Sequence, residues 1–276
     1  MILAGDLAYA TVDPHSCSPT NPSCDELEWT WDAFGLQLEP ITETLPLFSA
    51  VGNHEGVGGN ITAADGTVRH SAFASYEARY PMPAPAPGAF WWSTDVGPLH
   101  LLFLSSEHAF APASAQWAWA QADLAAVDRA ATPWVAAVLH RPIYSAAVLE
   151  WEDHSPGGKL AVALEPLLQG GAVDLVLAGH IHSWEYTHPV RNGTVVARPS
   201  GAGNATYVNP GAPIYVVQGT SGALPENVFF DPPPAWSASR ILGSFGYGRL
   251  RVNASALEYS YVGLTGVVLD AFAITK

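Results

Sequence analysis

The sequence predicts an α/β fold in which two facing mixed β-sheets form a sandwich flanked by helices. Three observations carry that prediction. Four short apolar runs, from Met1 to Ala4, Leu45 to Val51, Trp134 to Leu139 and Val173 to Ala178, are leucine-rich or β-branched and bounded by Gly or Pro, as buried strands are. Apolar residues at helical spacing fall between these runs. From Pro213 onward the pattern changes almost entirely to strands.

Taken in order, the first helix opens at Asp25-Glu26-Leu27-Glu28, a capping-box variant with Asp25 as N-cap. Leu27, Trp31, Phe34 and Leu38 then recur on one face until Pro40, which should end it. The four prolines between Pro81 and Pro87 require an irregular loop, and the aromatic run Phe90-Trp91-Trp92 leads into a strand from His100 to Leu104. Ser114 is placed to cap a second helix burying Trp117, Ala120, Leu124 and Val127. A third carries Leu160, Leu164, Leu167 and Leu168 and closes at Gly170-Gly171. Strands follow from Ile214 to Val217, Arg249 to Val252, Leu257 to Val262 and Val267 to Ile274. Leu250/Val252 and Leu257/Tyr259/Tyr261 alternate with polar residues, as half-buried antiparallel strands do.

Nothing in the 276 residues marks a domain boundary, so a single domain is expected over 1–276. A net charge of −14 argues against nucleic acid or an anionic membrane surface as partner. No apolar stretch reaches the roughly 20 residues of a membrane span. The sequons at Asn60, Asn192, Asn204 and Asn253 lean towards a secreted glycoprotein, although the first ten residues do not read as a signal peptide. Cys17 and Cys24 bracket six residues that include two prolines. That spacing suits a small loop-closing disulfide; two unpaired thiols are the alternative.

The ends of the four apolar runs carry the chemistry. They lead into Gly5-Asp6-Leu7-Ala8-Tyr9, Gly52-Asn53-His54-Glu55, His140, and Gly179-His180-Ile181-His182. Ligands of open α/β sheets bind beyond the carboxyl ends of strands. Asp, Tyr, Asn and His delivered there make a hard-to-borderline donor set for iron, manganese or zinc. Asp6 can bridge two cations, one on each oxygen. Tyr9 binds only as phenolate, which favours a strong Lewis acid such as Fe(III), since the free phenol pKa is about 10. Two ions about 3.5–4 Å apart clamp a phosphate and lower the pKa of a bound water. His54, next to a ligand, is placed to hold the phosphate or protonate the leaving group.

These motifs, with His140-Arg141-Pro142, resemble the calcineurin-like metallophosphoesterases, and the Asp-x-x-Tyr spacing resembles the purple acid phosphatases. The segments from Tyr76 to Pro83, Asp95 to His100, Phe245 to Leu250 and Val268 to Phe272 resemble that family too. The resemblance implies that Asp6 bridges Fe(III) and a divalent Zn, Mn or Fe. Tyr9 and His182 would bind Fe(III), and Asn53, His140 and His180 the divalent ion. It further implies hydrolysis of small phosphate monoesters at acidic pH by in-line attack of metal-bound hydroxide, with His54 contacting the phosphate. His154, one loop beyond the His140 strand, is a candidate second phosphate contact.

Two departures stand out. Ser183-Trp184-Glu185-Tyr186 replaces the family's Ser-Tyr-Glu-Arg, which removes an expected ion pair at the rim. The family's earlier strand ending in an iron-binding Asp has no counterpart here, so an N-terminally truncated chain is expected. Glu55 and Asp95 are the carboxylates that could stand in for that ligand. The competing readings are a catalytically impaired remnant with an incomplete iron site and a phosphodiesterase, and Tyr9 argues against the latter.

Overall fold

The computed structural model describes residues 1–10, 28–56, 59–62, 68–71, 73–148, 152–200, 205–224 and 228–276. Cys17, Cys24, Asp25 and Asn204 lie outside them, so the disulfide, the capping box and one sequon have no structural account. In chain order the elements are β1 (Ile2–Ala4), α1 (Glu28–Thr42), β2 (Phe48–Ala50), β3 (Gly59–Thr62), β4 (Val68–Ser71), α2 (Ala74–Arg79), β5 (Trp92–Val96) and β6 (Leu99–Phe103). There follow α3 (Ala115–Ala126), β7 (Trp134–Val138), α4 (Lys159–Gly170), β8 (Leu175–Ala178), β9 (Trp184–Thr187), β10 (Val190–Arg191), β11 (Thr194–Val195), β12 (Ala205–Val208) and β13 (Ile214–Gln218). The chain closes with β14 (Ser237–Ile241), β15 (Gly246–Val252), β16 (Ala256–Gly263) and β17 (Val268–Thr275).

Two mixed sheets face each other, as the sequence predicts. The larger runs β14-β9-β13-β8-β7-β6-β5, with β6, β7, β8 and β13 parallel; the smaller runs β12-β17-β16-β15. The strand β7 shows why its sequence is apolar throughout. Trp134, Ala136 and Val138 face a core shared with Tyr259, Tyr261 and Phe272 of the smaller sheet. Val135, Ala137 and the following Leu139 face a second core, where Leu124 of α3 and Leu160, Leu164 and Leu168 of α4 cover the sheet. A parallel strand covered on both faces cannot alternate in polarity. Among the described residues β1 pairs only with β2, in parallel register.

The helices follow their sequence signals with one exception. Ser114 caps α3 by accepting the Trp117 N–H, and α4 ends against Gly171. Pro40, expected to end the first helix, lies inside α1. The helix carries on for two more residues because Thr42 Oγ1 donates back to the Leu38 and Glu39 carbonyls. Leu36, whose carbonyl Pro40 cannot reach, is on the exposed side of the helix. No helix among the described residues is long and apolar enough to cross a membrane.

Candidate metal centre

The parallel strands β1, β2, β7 and β8 end at one place, and each delivers a donor there. The turns are tight. Asp6, Tyr9 and His180 all have positive φ (53°, 48° and 65°), a conformation that costs non-glycine residues energy and clusters at functional sites. Gly52 and Gly5 make room for them. A Cβ on Gly52 would collide with Asp6 Oδ1, and one on Gly5, itself at φ 82°, would sit 2.6 Å from His140 Nδ1.

His140 Nδ1 lies 2.7 Å from the Ala4 carbonyl oxygen, which only accepts, so the neutral ring keeps its proton there and Nε2 carries a lone pair. Around that lone pair stand Asn53 Oδ1 at 2.9 Å, His180 Nδ1 at 3.1 Å and Asp6 Oδ2 at 3.1 Å. Electron-pair donors gathered this closely form a site suited to a shared cation. The other face of Asp6 Oδ2 meets the Tyr9 hydroxyl at 3.3 Å, which is 3.1 Å from His182 Nε2. His182 Nδ1 donates to the Leu224 carbonyl at 3.1 Å, again leaving Nε2 to face inward. Two donor sets therefore meet at one oxygen atom. Asp6 Oδ1 accepts the His54 backbone N–H at 2.9 Å, and both donor sets approach Oδ2.

The electrostatics follow from this crowding. Burial would raise the Asp6 pKa, but His140 and His54 hold its carboxyl well below the usual carboxylate range. Burial would lower His140, and the Asp6 carboxylate reverses that and raises it. Burial and the neighbouring His140 and Arg141 push His180 far down, so it stays neutral with a lone pair to offer. His54 packs its ring 4.2 Å from that of Tyr9, with Nε2 4.0 Å from Asp6 Oδ2.

Glu55 and Asp95, the carboxylates suggested as replacement ligands, are engaged by other partners. Glu55 is buried and accepts the backbone N–H groups of Asp6, Leu7 and Gly52, each at 2.7 Å, so it ties the ends of β1 and β2 together. Burial and the Asp6 charge push its pKa up to about 7. Asp95 belongs to a separate network, 2.6 Å from His100 Nδ1, whose Nε2 meets Asp123 at 2.9 Å. His154 is buried with both ring nitrogens engaged, Nδ1 by the Pro142 carbonyl at 2.6 Å and Nε2 by Glu152 at 2.9 Å.

Sequence reasoning missed Glu152. Its carboxylate meets His180 Nε2 at 2.9 Å and pairs with Arg141, which is also gripped by Glu107 at 2.8 and 3.1 Å. The Glu152-x-His154 spacing was the one available signal, but it sits on a loop with no periodicity to orient it.

Glu185 precedes the position at which the sequence lacks the family's arginine, and with it the rim ion pair. Tyr186, in place of the family's arginine, is buried against Phe272, and the Glu185 carboxylate takes neutral donors, the Ser145 hydroxyl and the Ala146 N–H. Burial lifts its pKa from 4.5 to about 7. The folded value lies above the unfolded one, so the unfolded chain releases this proton first. The associated stability is complete below pH 4.5 and disappears as the pH rises through 7, a change of about 3 kcal/mol. Glu185→Gln should remove that slope. Urea midpoints of variant and parent compared at pH 4.5 and 7.5 check it, and a constant difference between the two proteins would refute it.

Comparison with known proteins agrees with this architecture. Residues 1–184 match the family model of calcineurin-like phosphoesterases, and 212–271 match that of the iron/zinc purple acid phosphatase-like protein C-terminal region. Purple acid phosphatase 21 of Arabidopsis thaliana is 33% identical over 255 residues, covering 91% of this chain and 50% of that protein. Human acid phosphatase type 7 is 32% identical over 241 residues, covering 80% and 50%. The structure of purple acid phosphatase PPD1 from yellow lupin (Lupinus luteus) seeds superposes with a TM-score of 0.81 at 27% identity, over 99% of this chain and 46% of that one. The chain thus spans about half the length of the curated relatives it matches. With a family model covering two thirds of its residues, the chain belongs to the calcineurin-like phosphoesterases and, within them, to the purple acid phosphatases.

Proposed function

We propose that the chain is the catalytic domain of an acid phosphatase that hydrolyses small phosphate monoesters at a dinuclear centre. The observation that carries this reading is the meeting of two donor sets at Asp6 Oδ2. Tyr9 and His182 on one side, with a phenol among the donors, suit Fe(III); Asn53, His140 and His180 on the other suit Zn, Mn or Fe(II). Asp6, His140 and His180 already hold their donor atoms within 4.8 Å of one another, without rearrangement. Cations held there would supply Lewis acidity to the phosphate oxygens and to a nucleophilic water.

The chain's own residues do the rest. Glu55 clamps the two strand ends, which fixes the distance between Asp6 and Asn53. The Ala4 and Leu224 carbonyls set the tautomers of His140 and His182. His54, partly open to solvent, is the residue placed to contact the phosphate and pass the proton on Nε2 to the departing alkoxide oxygen. Acidic surface charge would repel phosphate esters, so substrate binding has to come from the centre itself.

Metal analysis, visible spectrum and turnover of an aryl phosphate at acidic pH test this together. Two cations per chain with a tyrosinate absorption band support the reading. One cation or none, with no band and no turnover, would leave the impaired remnant.

Secretion and glycosylation belong to the same proposal. Asn192 and Asn253 are exposed, Asn192 on the turn between β10 and β11 and Asn253 between β15 and β16. A mobility shift on deglycosylation of protein made in a secretory host is the expected result, and its loss in Asn192→Gln/Asn253→Gln would assign these two sites.

A further inference from the structure

We propose that Glu152 is a positioning residue of the metal centre, holding His180 so that Nδ1 faces Asp6, Asn53 and His140. This inference rests on the dinuclear reading above. The argument is one of proton placement. His180 has two ring nitrogens, and one faces each way: Nδ1 is 3.1 Å from His140 Nε2, and Nε2 is 2.9 Å from Glu152 Oε2. A carboxylate only accepts, so the single proton of neutral His180 goes to Nε2 and Nδ1 keeps the lone pair that a cation needs. Without Glu152 the nearest neighbour of Nε2 is Arg141 Nη1 at 3.3 Å, which has no lone pair to offer. The proton would then have no acceptor, and the ring would be free to turn or to move the proton to Nδ1.

The carboxylate is itself held firmly for a loop residue. Arg141 bridges it to Glu107, and His154 Nε2 lies 2.9 Å from the same oxygen that faces His180. The Pro142 carbonyl accepts from His154 Nδ1 at 2.6 Å, which leaves Nε2 facing the Glu152 carboxylate. This gives His154 a role as the support of Glu152, with no nitrogen left for the phosphate. The arrangement is a carboxylate–histidine pair of the kind that typically carries about 10–100-fold in metal affinity.

The test is Co(II) titration of the metal-free full chain, followed by its visible spectrum, for the parent, Glu152→Ala, Glu152→Gln and His140→Ala. Glu152→Ala is expected to weaken Co(II) binding about 10–100-fold. The stoichiometry and the urea midpoint of the metal-free protein should be unchanged. Glu152→Gln, which retains an acceptor oxygen, should lose less. Unaltered affinity in Glu152→Ala, with one cation lost in His140→Ala, overturns this inference and leaves the metal centre standing. Loss of one cation from the stoichiometry would instead make Glu152 a ligand and also overturn it. A drop in the metal-free midpoint as large as the affinity loss would reduce Glu152 to a structural residue. A parent chain that binds no Co(II) overturns the dinuclear reading together with this one.

Discussion

Asp6→Asn should strip the chain of both cations and lower phosphate monoester turnover by about 10³–10⁵-fold, as expected when an ion clamp worth several kcal/mol of transition-state stabilisation is lost. The reason is specific to the geometry. Every other proposed ligand serves one donor set, whereas Asp6 Oδ2 lies 3.1 Å from His140 Nε2 and 3.3 Å from the Tyr9 hydroxyl. The amide of Asn is nearly the same size, can still accept the His54 N–H, and removes only the charge. His182→Ala should behave differently, losing the cation on the Tyr9 side while the Asn53–His140–His180 side still loads. Metal analysis of the two purified variants separates them. An Asp6→Asn protein that keeps one cation at parental affinity would mean that the two sets do not share the carboxylate.

What the sequence revealed of this site, and what it hid, follows from how each residue is positioned. Asp6, Asn53, His140 and His180 were readable because buried parallel strands leave an unbroken apolar run, and the first residues after such a run must stand at the sheet's carboxyl edge. The two facing sheets were readable for the same reason, through alternation in β15 and β16 and its absence in β7. The hydrogen bond on Asp6 Oδ1 was not readable, since it comes from a backbone N–H that approaches from residue 54 across 48 positions of chain. The sequence offered Glu55 only as a stand-in for the missing ligand. Its three backbone partners come from two different strand ends, which only the folded chain brings together. Pro40 was misjudged because a rule about prolines ignores the Thr42 hydroxyl that supports the final turn. Glu152 and the use of both His154 nitrogens depend on loop geometry, where no period links sequence to direction.

His54→Ala should keep both cations and lose about 10²–10⁴-fold in turnover, the usual range for a missing general acid or base. The prediction separates two roles that adjacent residues could share. Asn53 points its Oδ1 at His140 Nε2, within the donor set. His54 follows in the chain, but its backbone N–H binds Asp6 Oδ1 while its ring lies over Tyr9, with Nε2 4.0 Å from Asp6 Oδ2. Truncation to Ala leaves the backbone hydrogen bond in place, so the Asp6 carboxylate should stay where it is. The effect should also depend on the leaving group. An aryl phosphate, whose phenolate departs without help, should suffer far less than an alkyl phosphate, whose alkoxide needs the proton from Nε2. Turnover of the two substrates by parent and variant, with metal content measured in parallel, decides the matter. Equal losses on both substrates would confine His54 to holding the phosphate, and loss of either cation would make it part of the metal site.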